Sequence, residues 1–220
     1  MVKLAGQGQQ GELNMLLKNK ADPNVIVNVE WRDFLTSPLL EAAVSGHARV
    51  ARMLLSAGAD PNQAVGPAKF TAVYNASFNG HAEVVKILVA HGAEVNCVTE
   101  DGFSPLYISA QEGHAACVRA LLSSDSIEVN HARPDEGATA LYIAAQHGRA
   151  ECVEALLATK RLDIDLPMHD GSTCVCTHPR VLHDRARIRP ASNCKACECT
   201  TTHRRVFPYI PQCGVLGTGR

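Results

Sequence analysis

The sequence predicts an all-α repeat protein, in which pairs of short helices stack into a solenoid followed by an irregular C-terminal tail. Three observations lead to this prediction. A ten-residue pattern recurs four times without gaps, at intervals of 34, 33 and 35 residues. A second amphipathic stretch follows each copy of the pattern, and regular repetition of this kind is typical of solenoids. Near residue 166 the composition changes from acidic to basic and rich in cysteine.

Each copy of the ten-residue pattern predicts a helix of about two turns. The copies begin at Ser37, Thr71, Ser104 and Thr139, and each ends in a glycine nine positions later. A hydroxyl side chain at a helix start accepts hydrogen bonds from unpaired backbone N–H groups. Glycine adopts the left-handed conformation that ends many helices. The pattern therefore predicts both ends of the first helix in every repeat.

The second amphipathic stretch is clearest between His81 and Gly92. Its apolar residues at positions 84, 85, 87, 88 and 89 fall on one helical face, while Glu83 and Lys86 fall on the solvent face. Similar turns follow this stretch in the other copies, for example Gly58-Ala59-Asp60-Pro61-Asn62. One unit thus contains a helix, a turn, a second helix and an extended finger-like turn.

This unit resembles the ankyrin repeat, whose pattern T-P-L-H-x-A-A is followed by G-H and later by G-A-D-x-N. The matching residues here are Ser104-Pro105-Leu106-Tyr107-Ile108-Ser109-Ala110, Gly113-His114 and the turn at 58–62. The resemblance implies an ankyrin array over residues 1–165, with the first repeat slightly clipped. Its five repeats are expected at about 1–28, 29–66, 67–99, 100–134 and 135–168. A sixth repeat begins at His169 and loses the pattern at Cys174, so residues 169–220 are expected to form a disordered Cys/Arg/Pro-rich tail.

Ankyrin arrays bind other proteins on a concave side formed by first helices and fingers, so the resemblance implies a non-catalytic scaffold or adaptor without a cofactor. The expected partner-binding helix positions are Val44, Ser45, Phe78, Asn79, Gln111, Glu112, Gln146 and His147. The expected finger positions are Trp31, Arg32, Phe34, Lys69, Phe70, Glu100, Phe103, Asp135 and Glu136. Acidic residues dominate fingers four and five, which favours a partner of basic character. Phe70 and Phe103 have a second interpretation, in which they pack beneath the fingers.

Two departures from the family pattern affect this surface. The histidine of T-P-L-H is replaced by Leu40, Tyr74, Tyr107 and Tyr142, and only a tyrosine could partly take over its hydrogen bonds. The second finger is five residues longer than the fourth, and its segment 25–35 is strongly β-prone. This finger contains the only tryptophan, so either it packs on the next finger or Trp31 and Phe34 anchor a partner.

The array offers no arrangement of residues that is typical of an enzyme. Gly6, Gly8 and Gly11 match a dinucleotide-binding spacing, but no strand can precede them and the repeat register places Gly8 in a turn between helices. Cys117 and Cys152 occupy the apolar position of Val50 and Val84, so they are expected to be small buried residues. His47, His81 and His114 follow the turn glycine of their repeats and are expected to stabilise that turn rather than bind a metal.

The two parts of the chain differ in charge and in cysteine content. Residues 1–165 hold 13 Lys/Arg and 19 Asp/Glu, whereas residues 166–220 hold 8 and 3, together with six of the nine cysteines. Three interpretations of the tail stay open: a disordered or non-native segment, a basic interaction arm, or a small zinc site at Cys194, Cys197, Cys199 and His203. The alternative functions are accordingly a fragment whose activity lies elsewhere, or an ankyrin array with a C-terminal zinc module.

Several classes of protein and partner are not expected. No stretch approaches the roughly 18 apolar residues of a membrane-spanning helix, and the first residues lack the apolar run of a secretory signal. Together with apolar positions for two cysteines, this favours an intracellular protein, cytoplasmic or nuclear. A small-molecule substrate is not expected. Nucleic acid is not expected either, since aromatic residues are not interleaved with the arginines of the tail.

Overall fold

A computed structural model describes residues 1–29, 34–171 and 173 of the chain. The described residues form ten helices and one two-stranded sheet. The elements are α1 Val2–Gly6, α2 Gln10–Lys18, β1 Val27–Val29, β2 Phe34–Thr36, α3 Pro38–Val44, α4 Ala48–Ser56, α5 Ala72–Phe78, α6 Ala82–Ala90, α7 Pro105–Glu112, α8 Ala115–Leu122, α9 Ala140–Gln146 and α10 Ala150–Leu157. The predicted all-α architecture with finger turns is confirmed.

The helices stack in two layers, one built from the first helix of each pair and the other from the second. In the first layer α1, α3, α5, α7 and α9 contact one another in that order. In the second layer α2, α4, α6, α8 and α10 do the same. Each pair therefore contacts mainly its neighbours in sequence, which is the geometry of a solenoid.

Aliphatic side chains between the two layers form one continuous core. Leu54, Leu88, Leu121 and Leu156 occupy equivalent places in successive second helices, and all four are fully buried. Cys117 and Cys152 are fully buried as well, and burial raises the pKa of both thiols to about 11. Both thiols are therefore uncharged at neutral pH and pack as small apolar groups, as the sequence predicts.

The first helices begin at the predicted hydroxyl residues. Ser37 and Thr71 accept hydrogen bonds from the backbone N–H of Leu40 and Tyr74, at 3.4 and 3.3 Å. Ser104 and Thr139 make the same bond three residues ahead in α7 and α9. The glycines that close these four helices all have positive φ, between 66° and 89°.

The residue after each closing glycine joins two repeats. It donates a hydrogen bond to a carbonyl oxygen at the end of the preceding first helix, so its role extends beyond the turn that the sequence predicted. The bonds are His47 to Gly6 (3.1 Å), His81 to Val44 (3.0 Å), His114 to Phe78 (3.0 Å) and, with arginine in the same position, Arg149 to Gln111 (2.9 Å).

A row of asparagines links the turns that follow the second helices. Asn24 donates from its side-chain amide to the carbonyl oxygen of Gly58 (3.1 Å) and accepts from the backbone N–H of Asp60 (2.7 Å). Asn62, Asn96 and Asn130 make the same pair of bonds to the following turn. Each turn is thus fixed to the next one by a side chain that both donates and accepts.

The β-prone second finger forms an antiparallel pair in which Val27 is opposite Thr36 and Asn28 is opposite Leu35. At the other end of the array, the chain continues past α10 along finger five, where the backbone N–H of His169 donates to the carbonyl oxygen of Glu136 (3.0 Å). The interpretations of the tail from Cys174 onward, including the possible zinc ligands, lie outside the described residues.

Ser77 differs from its counterparts in neighbouring repeats, which are Ala43, Ala110 and Ala145. Its side chain is fully buried, and its hydroxyl has no hydrogen-bond partner among the described residues. Ser109, also fully buried, donates its hydroxyl proton to the carbonyl oxygen of Leu106 (3.0 Å). Both serines are buried in helices, but of the two hydroxyls only that of Ser109 has a hydrogen-bond partner among the described residues.

We expect Ser77→Ala to stabilise the array by about 1 kcal/mol, because a buried unsatisfied hydroxyl is lost and a methyl group is kept. The matched variant Ser109→Ala removes a hydroxyl that is bonded, so we expect a change of about zero to 1 kcal/mol in the destabilising direction. Urea unfolding of both variants measures the difference. A loss of stability in Ser77→Ala equal to that in Ser109→Ala would contradict the expectation.

Gly80 and Gly92 provide a test of the links between repeats. Both adopt the left-handed conformation, with φ of 78° and 82°. A Cβ at Gly80 would lie 2.7 Å from the His114 ring, whereas at Gly92 it would meet nothing within 4 Å. We expect Gly92→Ala to cost about 1 kcal/mol from backbone strain alone. Gly80→Ala should cost about 2 to 4 kcal/mol, because the bond from His114 to Phe78 is lost as well. Equal losses in urea unfolding would show that the histidine contributes nothing.

Candidate protein-binding surface

The candidate surface combines the ends of the first helices with the fingers. Each finger takes the number of the repeat whose first helix follows it. Finger two is 25–36, finger three 63–70, finger four 97–103 and finger five 131–138. Finger three is closed by an isolated antiparallel bridge between Val65 and Phe70, and finger five by one between Ala132 and Thr139, the residue that follows it. Finger four is closed by the bond from the backbone N–H of Thr99 to the carbonyl oxygen of Phe103 (3.1 Å).

The predicted helix positions cluster at the C-terminal ends of the first helices, with unequal exposure. Val44 is 36% exposed, and Ser45, Gln146 and His147 are exposed too. In contrast, Gln111 is only 6% exposed, so its side chain offers a partner little surface. The half-buried positions are Phe78, Asn79 and Glu112.

Some of these residues also have contacts within the array. Asn79 donates from its side chain to the carbonyl oxygen of Asn75 (2.8 Å), which fixes its amide at the end of α5. Partial burial, followed by the positive charge of Arg149, lowers the pKa of His147, while Glu112 acts in the opposite direction. His147 is therefore a neutral hydrogen-bonding group at neutral pH.

Most of the residues that the sequence predicts for the surface of finger two lie outside the described part of the chain. Trp31 and Arg32 lie outside the described residues, and Phe34 begins strand β2. On this finger Ile26 and Leu35 are exposed large apolar residues. Whether Trp31 and Phe34 anchor a partner stays a prediction.

Finger three carries a cation on a backbone that usually requires glycine. Lys69 has φ of 56°, and the equivalent residues in fingers four and five are Gly102 and Gly137, both with φ of 76°. The left-handed conformation costs a residue with a Cβ about 1–2 kcal/mol. Lys69 forms an ion pair with Glu100 at 3.0 Å, but both side chains are about two-thirds exposed, and such pairs contribute about 1 kcal/mol or less. The ion pair therefore does not offset the strain.

An aromatic pair at the base of finger four, formed by Phe103 and by Tyr107 of helix α7, is covered by Arg133 of finger five. The rings of Phe103 and Tyr107 lie 5.6 Å apart, and the Arg133 guanidinium lies 4.2 Å from the first ring centroid and 5.7 Å from the second. Arg133 is also paired with Asp135. Burial raises the pKa of Tyr107, and its hydrogen bond with Arg133 acts in the opposite direction. Phe103 thus packs beneath the fingers, the second of the two interpretations that the sequence allowed.

The remaining finger residues carry the acidic character. Glu100 and Asp135 are each paired with a cation of this chain, as described above. Asp101 is exposed and Glu136 is half-buried. Phe70 stacks on Tyr74 with ring centroids 5.6 Å apart, so this aromatic residue also has a contact within the array. The negative charge available to a partner is therefore smaller than the sequence suggests.

Comparison with known families decides the identity of the repeats. A family model described as ankyrin repeats (3 copies) matches residues 72–170, and one described as ankyrin repeats (many copies) matches residues 39–89. Together the two matches cover more than half of the chain. The chain belongs to the ankyrin repeat family. Ankyrin repeats generally mediate protein–protein interactions, and ankyrin repeat proteins are typically non-catalytic. No curated protein matches this ankyrin chain.

The described residues form no helix that is long and apolar enough to cross a bilayer. They also contain no group of three or more histidine, cysteine, aspartate or glutamate side chains placed to hold a metal ion.

Sequence reasoning missed the part that Arg133 plays in this ankyrin surface. Its guanidinium connects the aromatic pair of finger four with the acidic tip of finger five. The available signal was a lone arginine two residues before Asp135, at a position where finger four carries Val98.

We expect Arg133 and Phe103 to be energetically coupled. A double-mutant cycle with Arg133→Ala and Phe103→Leu should give a coupling of about 0.5–2 kcal/mol in urea unfolding, because a partly buried cation over an aromatic ring is stabilised by the ring quadrupole. Arg133→Lys should recover only part of this coupling, since lysine lacks the planar guanidinium that stacks. Strictly additive losses would contradict the interpretation of the cluster.

Proposed function

We propose that this ankyrin array is a non-catalytic scaffold or adaptor that binds a protein partner on the concave face lined by its first helices and fingers. One observation carries the proposal: side chains at the ends of the first helices α3 and α9 are exposed, and most of those at the ends of α5 and α7 are half-buried, while most other residues of these helices are buried. Ser45 at the end of α3 and Gln146 and His147 at the end of α9 are examples. These residues are held by rigid helices but are not needed to fill the core, which is the condition for a binding surface.

The proposed partner has basic character where it meets fingers four and five. Asp101 and Glu136 supply carboxylates there, in addition to Glu100 and Asp135, which already have cationic neighbours. Rim charges of this kind mainly affect the association rate and the choice of partner. The other proposed contacts are those predicted from the sequence, with Trp31, Arg32 and Phe34 among them.

The proposal includes the organisation and the setting of the chain. We take residues 1–165 as the ankyrin array and residues 169–220 as a separate tail. A reducing intracellular environment is supported by Cys97, Cys117 and Cys152, which are all free thiols.

An affinity purification with two matched variants of the full chain tests the binding face. The inner variant combines Ser45→Arg with Gln146→Arg, and the control combines Ala90→Arg with Ala116→Arg at exposed positions of second helices. We expect the inner variant to retain about a tenth or less of each specific partner, because a bulky charge is placed inside the contact. The control should retain them within about twofold.

The measurement is quantitative mass spectrometry of the captured proteins, with urea unfolding to show that both variants are folded. Equal retention by the two variants would reject the proposed face. An absence of any protein specifically retained by the unmodified chain would reject the proposed function itself.

A further inference from the structure

The backbone of finger three is strained at a residue that points into solvent. Lys69 adopts φ of 56°, and its side chain is 65% exposed. Its backbone N–H donates to the carbonyl oxygen of Gly66 (3.1 Å), as the N–H of Gly102 donates to Thr99 (2.9 Å) in finger four. The two positions are thus equivalent in hydrogen bonding and differ in the presence of a side chain.

In fingers four and five, glycine lets the next finger approach closely. A Cβ at Gly102 would lie 2.8 Å from Cδ of Pro134, and one at Gly137 would lie 2.9 Å from Cδ2 of His169. Finger three contacts finger four differently, through the Lys69–Glu100 ion pair and the bond from the backbone N–H of Glu100 to the carbonyl oxygen of Ala68 (3.2 Å). The backbone bond needs no side chain at position 69, and the ion pair is exposed and therefore contributes little to folding.

At Lys20, by contrast, the fold itself explains why a lysine has positive φ. It also has positive φ (61°), and it stands where Gly58 and Gly92 stand in later repeats. However, Lys20 follows the end of helix α2, where a cation interacts favourably with the helix dipole. Lys69 precedes the N-terminus of α5 by three residues, so the dipole there disfavours its charge.

Folding therefore does not account for Lys69, and strained residues of this kind concentrate at binding sites. We infer that Lys69 is a specificity-determining residue of the ankyrin surface, which binds an acidic side chain of the protein partner. An ammonium group has three donors, so it can donate to a second carboxylate while it keeps its contact with Glu100. This inference rests on the proposed function.

The order of charges along the fingertips also sets the direction in which a partner segment binds. Along the fingertips the charge is positive at Lys69 and negative at Glu100, Asp101, Asp135 and Glu136. A partner segment that places its acidic residue at finger three and its basic residues at fingers four and five matches this order. The reverse orientation would put like charges opposite each other, which is unfavourable.

Thermal unfolding of the full chain tests the strain. Lys69→Gly should raise Tm by about 2–4 °C, because glycine adopts the left-handed conformation without a steric penalty. Lys69→Ala keeps the strain and removes the charge, so it should leave Tm unchanged or slightly lower. Failure of Lys69→Gly to raise Tm above that of Lys69→Ala would overturn the claim that this position is strained.

Selection of random peptides displayed on phage, with the immobilised full chain as bait, tests the recognition. The unmodified chain should enrich peptides that contain an acidic residue next to basic residues. Lys69→Gly and Lys69→Ala should lower the enrichment of acidic residues at least fivefold. Lys20→Gly, which also removes a lysine at positive φ, should leave it within twofold.

The outcomes separate the inference from the function on which it rests. Enrichment with the same acidic preference in Lys69→Ala overturns the inference and leaves the proposed function standing. Enrichment of peptides without any acidic preference by the unmodified chain does the same. No enrichment by the unmodified chain overturns both, whatever the thermal unfolding shows.

Discussion

No helical pair in this array can bury its apolar face alone, and the rest of the structure depends on that constraint. Leu54, Leu88 and Leu121 are fully buried in second helices that contact another second helix on either side. Hydrogen bonds between repeats then fix how the pairs meet. His81 reaches the carbonyl oxygen of Val44 at the end of the preceding first helix, and equivalent residues repeat this bond along the array. Burial of apolar surface drives the pairs together, and these hydrogen bonds fix the position of each pair relative to the next.

The same links leave particular surfaces open for function. The histidines bond to backbone carbonyl oxygens at the ends of the first helices. The side chains at these ends are therefore not needed for the hydrogen bonds between repeats. Ser45 and Gln146 remain exposed, whereas Gln111, at the repeat position equivalent to that of Gln146, is buried. The fingers differ more from one another than the helices do. Phe103 of finger four packs with Tyr107 of α7 under Arg133, and finger three carries Lys69. A common framework thus presents contacts that are specific to each repeat.

Periodicity alone predicted the helices, their hydroxyl caps and the buried leucines, because each of these depends on residues close together in sequence. The β-prone residues of segment 25–35 predicted the β-character of finger two, and the repeat positions of Cys117 and Cys152 predicted their apolar role. The bond from His114 to Phe78 spans 36 residues, so a single sequence cannot show where the imidazole goes. The position of Arg133 over Phe103 and the backbone conformation of Lys69 depend on how fingers meet in space. Contacts between fingers set which finger side chains are exposed, so the sequence predicts the fold more fully than it predicts the candidate surface.

The asparagine row has a consequence for how such a chain can change in length. Asn62 ties its own turn to the following one through a donor and an acceptor, and Asn96 does the same one unit later. Duplication or removal of a complete unit preserves every one of these paired bonds, since the new neighbour presents the same two backbone groups. A single inserted residue between two asparagines would misalign both bonds at once. The array can therefore gain or lose whole repeats during evolution far more readily than parts of a repeat.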